Sequence, residues 1–303
     1  TVQVPATTAN LGPGFDCLGV ALTLHNRFRF TLKNASDPVL EILVKGEEAA
    51  RVSTDTDNLI YRAFASFYEG FGQTPPPVKI EIELGVPLSR GLGSSATAIV
   101  GGLIAANALA GNPIEEDDLL QRAIALEGHP DNVVPAFLGG CRLAVATDQQ
   151  WEICDIPWWS ELIPVVAIPA NFELSTAEAR SVLPSQFSRD VAIFNVAHLG
   201  LLVRAIETGR CDWLRIGMQD QLHQPYRKQL IAGYTEVETA AISAGAHGVA
   251  ISGAGPTLLA ITSVGDASIV AQEMQSAWEK LGITATVKVL KVSSTGATFE
   301  LNH

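Results

Sequence analysis

Val86-Pro87-Leu88-Ser89-Arg90-Gly91-Leu92-Gly93-Ser94-Ser95-Ala96-Thr97 runs directly into an apolar stretch at residues 98–110. A loop rich in glycine and serine that opens a helix offers consecutive backbone N–H groups and two hydroxyls at the positive end of a helix dipole, where a phosphate binds well. Residues 87–97 therefore read as a nucleotide phosphate cradle. A plain strand-to-helix turn would account for a lone G-x-G, but a proline, two glycines around a leucine and a Ser-Ser pair occur here together. The loop has neither the Gly-Lys-Ser/Thr ending of a P-loop nor the G-x-G-x-x-G of a dinucleotide fold. Without that lysine, phosphate charge must be met by other groups.

The chain around this loop has 303 residues, 47% of them hydrophobic, enough for one large domain or two packed closely. A net charge of −12 works against nonspecific binding to nucleic acid or to an anionic membrane surface, because both present phosphate charge at long range. Neither nucleic acid nor a membrane is expected as a partner. The most hydrophobic run, residues 96–110, contains Thr97, Gly101, Gly102 and Asn107 and falls short of the roughly 20 residues of a membrane span. It reads as a buried helix. Cys17, Cys141, Cys154 and Cys211 have neither C-x-x-C pairing nor the density of a disulfide scaffold, so a cytoplasmic location is expected. No leader peptide is expected ahead of Thr1-Val2-Gln3-Val4.

Strand patterns at residues 1–5, 20–32, 39–45 and 78–84 suggest half-buried antiparallel strands. Residues 58–71 have helical spacing, with Asn58 placed either to cap the helix or to reach an adenine. Residues 115–127 form an amphipathic pattern that delivers Glu127 to the turn Gly128-His129-Pro130, and a further helix begins near Asp131. The second half shows strands at 141–146 and 162–168, helices within 176–209, and strands at 249–251 and 258–261 around a glycine turn. A helix at 267–281 and a strand at 284–292 follow. Strands and helices without strict alternation favour an α+β architecture.

Two more polar constellations accompany the loop. Pro5-Ala6-Thr7-Thr8-Ala9-Asn10-Leu11-Gly12-Pro13-Gly14-Phe15-Asp16 sets an amide and a carboxylate in a glycine-rich turn, although Asn and Asp are also ordinary turn formers there. Glu127-Gly128-His129-Pro130-Asp131-Asn132 gathers four polar side chains ahead of an apolar run, and Asp131 or Asn132 would also serve as a plain helix cap. Hard oxygens from Glu127 and Ser95, together with nucleotide phosphates, would suit Mg2+.

In this order the stretches resemble the motifs of the small-molecule kinase superfamily named after galactokinase, homoserine kinase, mevalonate kinase and phosphomevalonate kinase, and its homoserine kinase branch in particular. The resemblance implies a two-domain fold: a ribosomal-protein-S5-like N-terminal ATP-binding domain over residues 1–160 and a ferredoxin-like C-terminal domain over 161–303. It implies that Pro87, Leu88, Ser89, Arg90, Gly91, Leu92, Gly93, Ser94, Ser95, Ala96 and Thr97 wrap the ATP phosphates while Ser95 and Glu127 hold Mg2+. Asn10, Asp16, His129 and Asn132 would face L-homoserine, with Asp16 on its ammonium or hydroxyl. Arg180, in Thr176-Ala177-Glu178-Ala179-Arg180, and Arg227 match the two arginines that bind the substrate carboxylate. Thr176 would order the site or approach the transferred phosphate. Ser252-Gly253-Ala254-Gly255-Pro256-Thr257 matches the third motif, whose Gly255 lets backbone approach loop and substrate.

The expected reaction is transfer of the ATP γ-phosphate to L-homoserine in threonine biosynthesis, by a homodimer. Asp131 and Asn132 compete for the position facing the reacting hydroxyl; only Asp131 can act as a base, and with Asn132 there the transfer rests on positioning and charge stabilisation. A mevalonate- or shikimate-type kinase is the nearest alternative, and a noncatalytic nucleotide-binding relative is a further one.

Overall fold

The computed structural model describes residues 1–34, 36–170 and 172–301. Strand β1 (Val2–Asn10) turns into the long β2 (Gly14–Leu32) through Asn10, Leu11 and Gly12, all at positive φ. A backbone held in that region by its surroundings is common where a loop must aim side chains at a site. The strand β1 is buried almost throughout, deeper than its short apolar alternation suggests, because β2 pairs along one side and helices cover it.

Next come β3 (Leu40–Lys45), helix α1 (Leu59–Glu69) and β4 (Val78–Glu83). The expectation of antiparallel pairing fails between β3 and β4, which lie parallel in register Leu40 to Val78. The reason is the intervening α1, which carries the chain back across the sheet so that both strands run the same way. Helices α2 (Ser94–Leu109), α3 (Glu116–Glu127) and α4 (Pro130–Leu138) follow, then β5 (Cys141–Ala146) and β6 (Trp151–Ile156). Helix α2 buries residues on every side, wedged between α1, α3, α4 and the sheet, which explains its lack of a polar face.

The second half holds β7 (Leu162–Pro169), α5 (Thr176–Ser181), α6 (Arg189–Thr208), α7 (Cys211–Gly217), α8 (Gln224–Arg227) and α9 (Tyr234–Ser243). It continues with β8 (Gly248–Ile251), β9 (Leu258–Ser263), α10 (Ala267–Glu279), β10 (Ala285–Val289) and the two-residue β11 (Thr298–Phe299). The first sheet has the order β11-β1-β2-β4-β3, with β5 paired to β2 and β6 to β5; the second is the antiparallel β10-β7-β9-β8. The chain end returns to the first sheet, where β11 pairs with β1 and Val292 bridges to Leu22. Strands β6 and β11 and helices α7, α8 and α9 escape sequence reading: β11 has only two residues, β6 mixes polar with apolar residues, and the helices span only seven, four and ten residues.

Three apolar cores result. One lies between the first sheet and α1 to α4; a second joins the two sheets with α6 and α7; a third lies under α9 and α10. Trp278 fills the third, fully buried, with its indole N–H donated to Ala232 O at 2.8 Å. Trp278→Ala is expected to cost about 3–5 kcal/mol of unfolding free energy, read from the midpoint shift in urea at unchanged slope.

Candidate active site

The phosphate loop forms one wall of a cleft of about 500 Å³, and its side chains divide between cleft and interior. Leu88, Ser89, Gly91, Gly93, Ser94 and Ser95 line the cleft. Leu92 and Ala96 are fully buried, and Leu92 belongs to the core that joins the two sheets. Thr97 is buried as well, donating its hydroxyl to Ser94 O at 2.7 Å and accepting from Asn26 Nδ2 at 2.8 Å. The expectation that the whole stretch meets nucleotide is thus narrowed to the residues that face outward. Pro87 is absent from the wall and shapes the entry to the loop.

Arg90 reaches the cleft with its guanidinium already engaged. Although its side chain borders the cleft, it is 7% exposed, and its guanidinium donates to Pro169 O at 3.0 Å and Ala170 O at 3.3 Å while pairing with Glu173 at 2.9 Å. It ties the loop to the end of β7 and has little left to offer a phosphate. The first turn of α2, whose N-cap Gly93 brings no side-chain cap, has the N–H geometry that suits an anion. Gly93, at φ +67°, is required there, since a Cβ would stand 2.0 Å from Thr7 Oγ1.

Asn26, which sequence reading passed over, sets the start of the loop by accepting from the N–H of Gly85 at 2.8 Å and of Val86 at 2.9 Å. Its signal was weak, a lone buried amide within a strand. Asn58 caps α1 by accepting from Ile60 N at 3.0 Å and donates to Ser53 O at 2.6 Å. Of the two expectations for Asn58, the cap describes its bonds; its place in the cleft wall is that of a helix terminus.

Opposite the loop, Ser95 Oγ donates to Glu127 Oε2 at 2.8 Å. Burial pushes the Glu127 carboxyl up from its ordinary pKa, against the opposing effect of that hydrogen bond. His129 Nδ1 lies 2.9 Å from Asp131 Oδ1, and Asn132 Nδ2 donates to the same oxygen at 3.3 Å. Asn132 Oδ1 in turn accepts from Thr7 Oγ1 at 2.7 Å. His129 and Asn132 line the cleft, while Asp131 is 4% exposed behind them. Gly19 makes room for this turn, since a Cβ on it would stand 1.7 Å from Asp131 O.

Thr176 lines the same cleft at the start of α5. In the third motif it is Gly253 that meets the site: its carbonyl accepts from Asn10 Nδ2 at 3.0 Å and Arg227 Nη1 at 3.1 Å. Gly255 is buried, a Cβ on it would meet Ile231 and Ile251 at 3.1 Å, and its backbone lies close against Gly91, so it supports the loop from behind. Ser252 Oγ donates to Gly91 O at 2.6 Å, which joins this motif directly to the phosphate loop.

Asp16, Arg180 and Arg227 stand beyond the cleft wall, linked to it through Gly253. Arg180 grips Asp16 in a bidentate pair, Nη2 to Oδ1 at 2.7 Å and Nη1 to Oδ2 at 2.9 Å, with both side chains about one-third exposed. The oxygen of Asn10 accepts from Asp16 N at 3.0 Å and so sets that turn. Arg227 is 2% exposed and donates to Ala179 O and Gly253 O; burial, then the charge of Arg180, brings its pKa down to about 10, so it stays protonated near neutrality. Phe15 lies beneath both guanidinium groups, 5.5 Å from Arg180 and 4.9 Å from Arg227, and stacks on His223 at 5.0 Å. Phe15 sits in the first motif without a role read for it there, and His223 and Asp220, whose carboxylate accepts from His223 N and Gln224 N at the start of α8, carry no motif that sequence reading recognises.

The sequence profile of the GHMP kinases N terminal domain matches residues 58–140, and that of the GHMP kinases C terminal matches residues 202–280. The homoserine kinase of Trichormus variabilis is 59% identical over 298 residues, 98% of each chain. That of Nostoc punctiforme is 61% identical over 297 residues, 98% of this chain and 97% of its own. The crystal structure of homoserine kinase from Cytophaga hutchinsonii superposes with a TM-score of 0.86 at 30% identity, over 98% of this chain and 96% of that one.

The hydrogen bond that His129 donates to the Asp131 carboxylate raises the pKa of His129 above its ordinary value. That contribution to stability is fully present below the unfolded histidine pKa of about 6.5 and is lost as pH rises through the higher folded value. Asp131→Asn is therefore expected to cost more stability at pH 6 than at pH 9, and to move the imidazole titration of His129, followed by NMR, to lower pH.

Proposed function

Since the chain belongs to the homoserine kinase family of the GHMP kinases, we propose that it transfers the γ-phosphoryl group of ATP to the side-chain hydroxyl of L-homoserine, giving ADP and O-phospho-L-homoserine for threonine biosynthesis. The observation that carries the substrate assignment is the Asp16–Arg180 pair beside Arg227. An α-amino acid presents an ammonium and a carboxylate on one carbon. Inserted between Asp16 and Arg180, it exchanges one ion pair for two, with its ammonium on Asp16 and its carboxylate on Arg180, supported by Arg227. Mevalonate or shikimate brings no ammonium to Asp16.

With the amino-acid head held there, the side-chain hydroxyl extends toward Asn132 and His129 at the cleft. Asn132 cannot accept a proton to become charged, and Asp131 is occupied behind it by His129 and Asn132. We therefore assign Asn132 to hold the reacting hydroxyl and Asp131 to orient Asn132 and His129, with no protein base. Phosphoryl transfer tolerates this, because bond breaking runs ahead of bond formation and the hydroxyl proton can leave late, onto a phosphate oxygen. Backbone N–H groups at the start of α2 would stabilise phosphate charge, and Thr176 would bound the path of the transferred group.

The donor set at Ser95 and Glu127 fits Mg2+: two hard oxygens 2.8 Å apart, one of them a carboxylate whose charge burial penalises and a cation would restore. No cluster of three metal-ligating side chains occurs among the described residues, which accords with an ion that takes its other oxygens from phosphate and water. When bound, Mg2+ would neutralise phosphate charge as it develops. A division near residue 160, a cytoplasmic location and a homodimer complete the reading; four unpaired cysteines support the second.

Arg180→Ala is expected to raise KM for homoserine about 10- to 100-fold with KM for ATP nearly unchanged, measured by coupled ADP release. In the same assay Asn132→Ala should lower kcat by about 100-fold, while Asp131→Asn keeps most turnover; a collapse of kcat in Asp131→Asn would restore Asp131 as the base. Half-saturating Mg2+ should rise as pH falls through the raised pKa of Glu127, and Glu127→Gln should remove that dependence.

A further inference from the structure

Helix α6 covers the second core with one face only, through Asn195, Leu202, Ala205 and Ile206. Its opposite face leaves Ile193 60% and Val196 74% exposed, with Ala197 and Gly200 exposed beside them. An apolar strip of this kind on a 20-residue helix calls for cover. The charges on the same face say what covers it.

Asp190, Ile193, Ala197, Leu201 and Arg204 share one stripe, at helical spacings of three, four, four and three residues. That spacing is symmetric about Ala197, while the charge is opposite at its two ends. Asp190 and Arg204 each lie about 10 Å along the axis from Ala197, at 1.5 Å per residue. We propose that α6 pairs antiparallel with the α6 of a second copy of this chain across a two-fold axis at Ala197, forming the dimer interface. Asp190 then faces Arg204 of the partner subunit twice over, and Ile193 faces Leu201 of the partner subunit. A parallel pairing would set like charges together, at a cost.

Small residues at the centre suit the arrangement, because Ala197 and Gly200 let two helix axes come close. A Cβ built on Gly200 would meet nothing within 4 Å, so its small size serves no packing inside this chain. Asp190 has no ion pair among the described residues, and Arg204 holds only Glu207 at 3.1 Å, an exposed contact one turn away that exchanges readily. The proposal gives a surface to the homodimer read above and is independent of the catalytic roles.

Sedimentation velocity at micromolar concentration tests it with four proteins: wild type, Asp190→Arg, Arg204→Asp and the double reversal. The wild type is expected to be a dimer, each single reversal to weaken it about tenfold or more, and the double reversal to restore it. Within one chain the two residues are about 21 Å apart, too far to rescue one another, so restoration requires contact between copies. Ala197→Glu, at an exposed position, should give a monomer with an unchanged circular dichroism spectrum. A monomeric wild type overturns the interface, including one that instead sediments with lipid vesicles. So does a dimer indifferent to the single reversals, or a double reversal that fails to restore it. Homoserine-dependent ADP release is measured on all four, and its absence from the wild type would sink the kinase reading while leaving the association result standing.

Discussion

Everything in the site depends on how a phosphate loop without a lysine is held open and still. The solution is a clamp from both sheets. Arg90 reaches the carbonyls that end β7, Asn26 takes the two N–H groups that begin the loop, and Ser252 donates to Gly91 O. Each tie ends on a backbone group, so the path of the loop is fixed by its own main chain. The first turn of α2 is thereby presented in a geometry that suits an anion, with Ser89, Gly91 and Gly93 of the loop held in the left-handed region. The same clamp binds the two halves together, since its three anchors lie on β2, at the end of β7 and after β8.

Charge is managed on a second level. The chain carries −12 overall, yet it is built to take an anionic nucleotide and a zwitterionic acceptor. Locally the acidic side chains are answered one by one: Asp16 by Arg180, Asp131 by His129, Glu173 by Arg90 and Arg51. Glu127 makes no ion pair among the described residues; it is a carboxylate held by one hydroxyl in a half-buried corner. Such an imbalance is what a cation-binding position requires. Phe15 performs the complementary service for the arginines, giving two like charges a common π face that softens their proximity.

Much of this was legible in the residues. The helical patterns around residues 58–71 and 115–127 carry clear periodicity, and the unbroken apolar run at 98–110 marks a buried helix; they appear as α1, α3 and α2 with shifted ends. The parallel pairing of β3 with β4 was not legible, because alternation reports burial and says nothing of direction. Asn26, His223 and Asp220 were missed for a related reason: each acts through a neighbour distant in the chain, as His223 does on Gly12 O at 2.8 Å and Asp220 on Asn195 Nδ2 at 2.7 Å. A single buried polar residue leaves no spacing to read.

Sequence alone determined which chemistry the chain can host. Glycine and serine at residues 91–95, the acids and amides at 127–132, and two arginines set the donors, acceptors and charges available, because these follow from residue type. Tertiary structure alone decided which of them face the cleft. Leu92, Thr97 and Gly255 belong to the right motifs and point into the protein, and Arg90 borders the cleft with its guanidinium tied down, whereas Gly253 and Asn132 face the site. Adjacent residues in a turn or on a helix leave the backbone in different directions, and only the packing of two sheets across the loop fixes which direction is the outside.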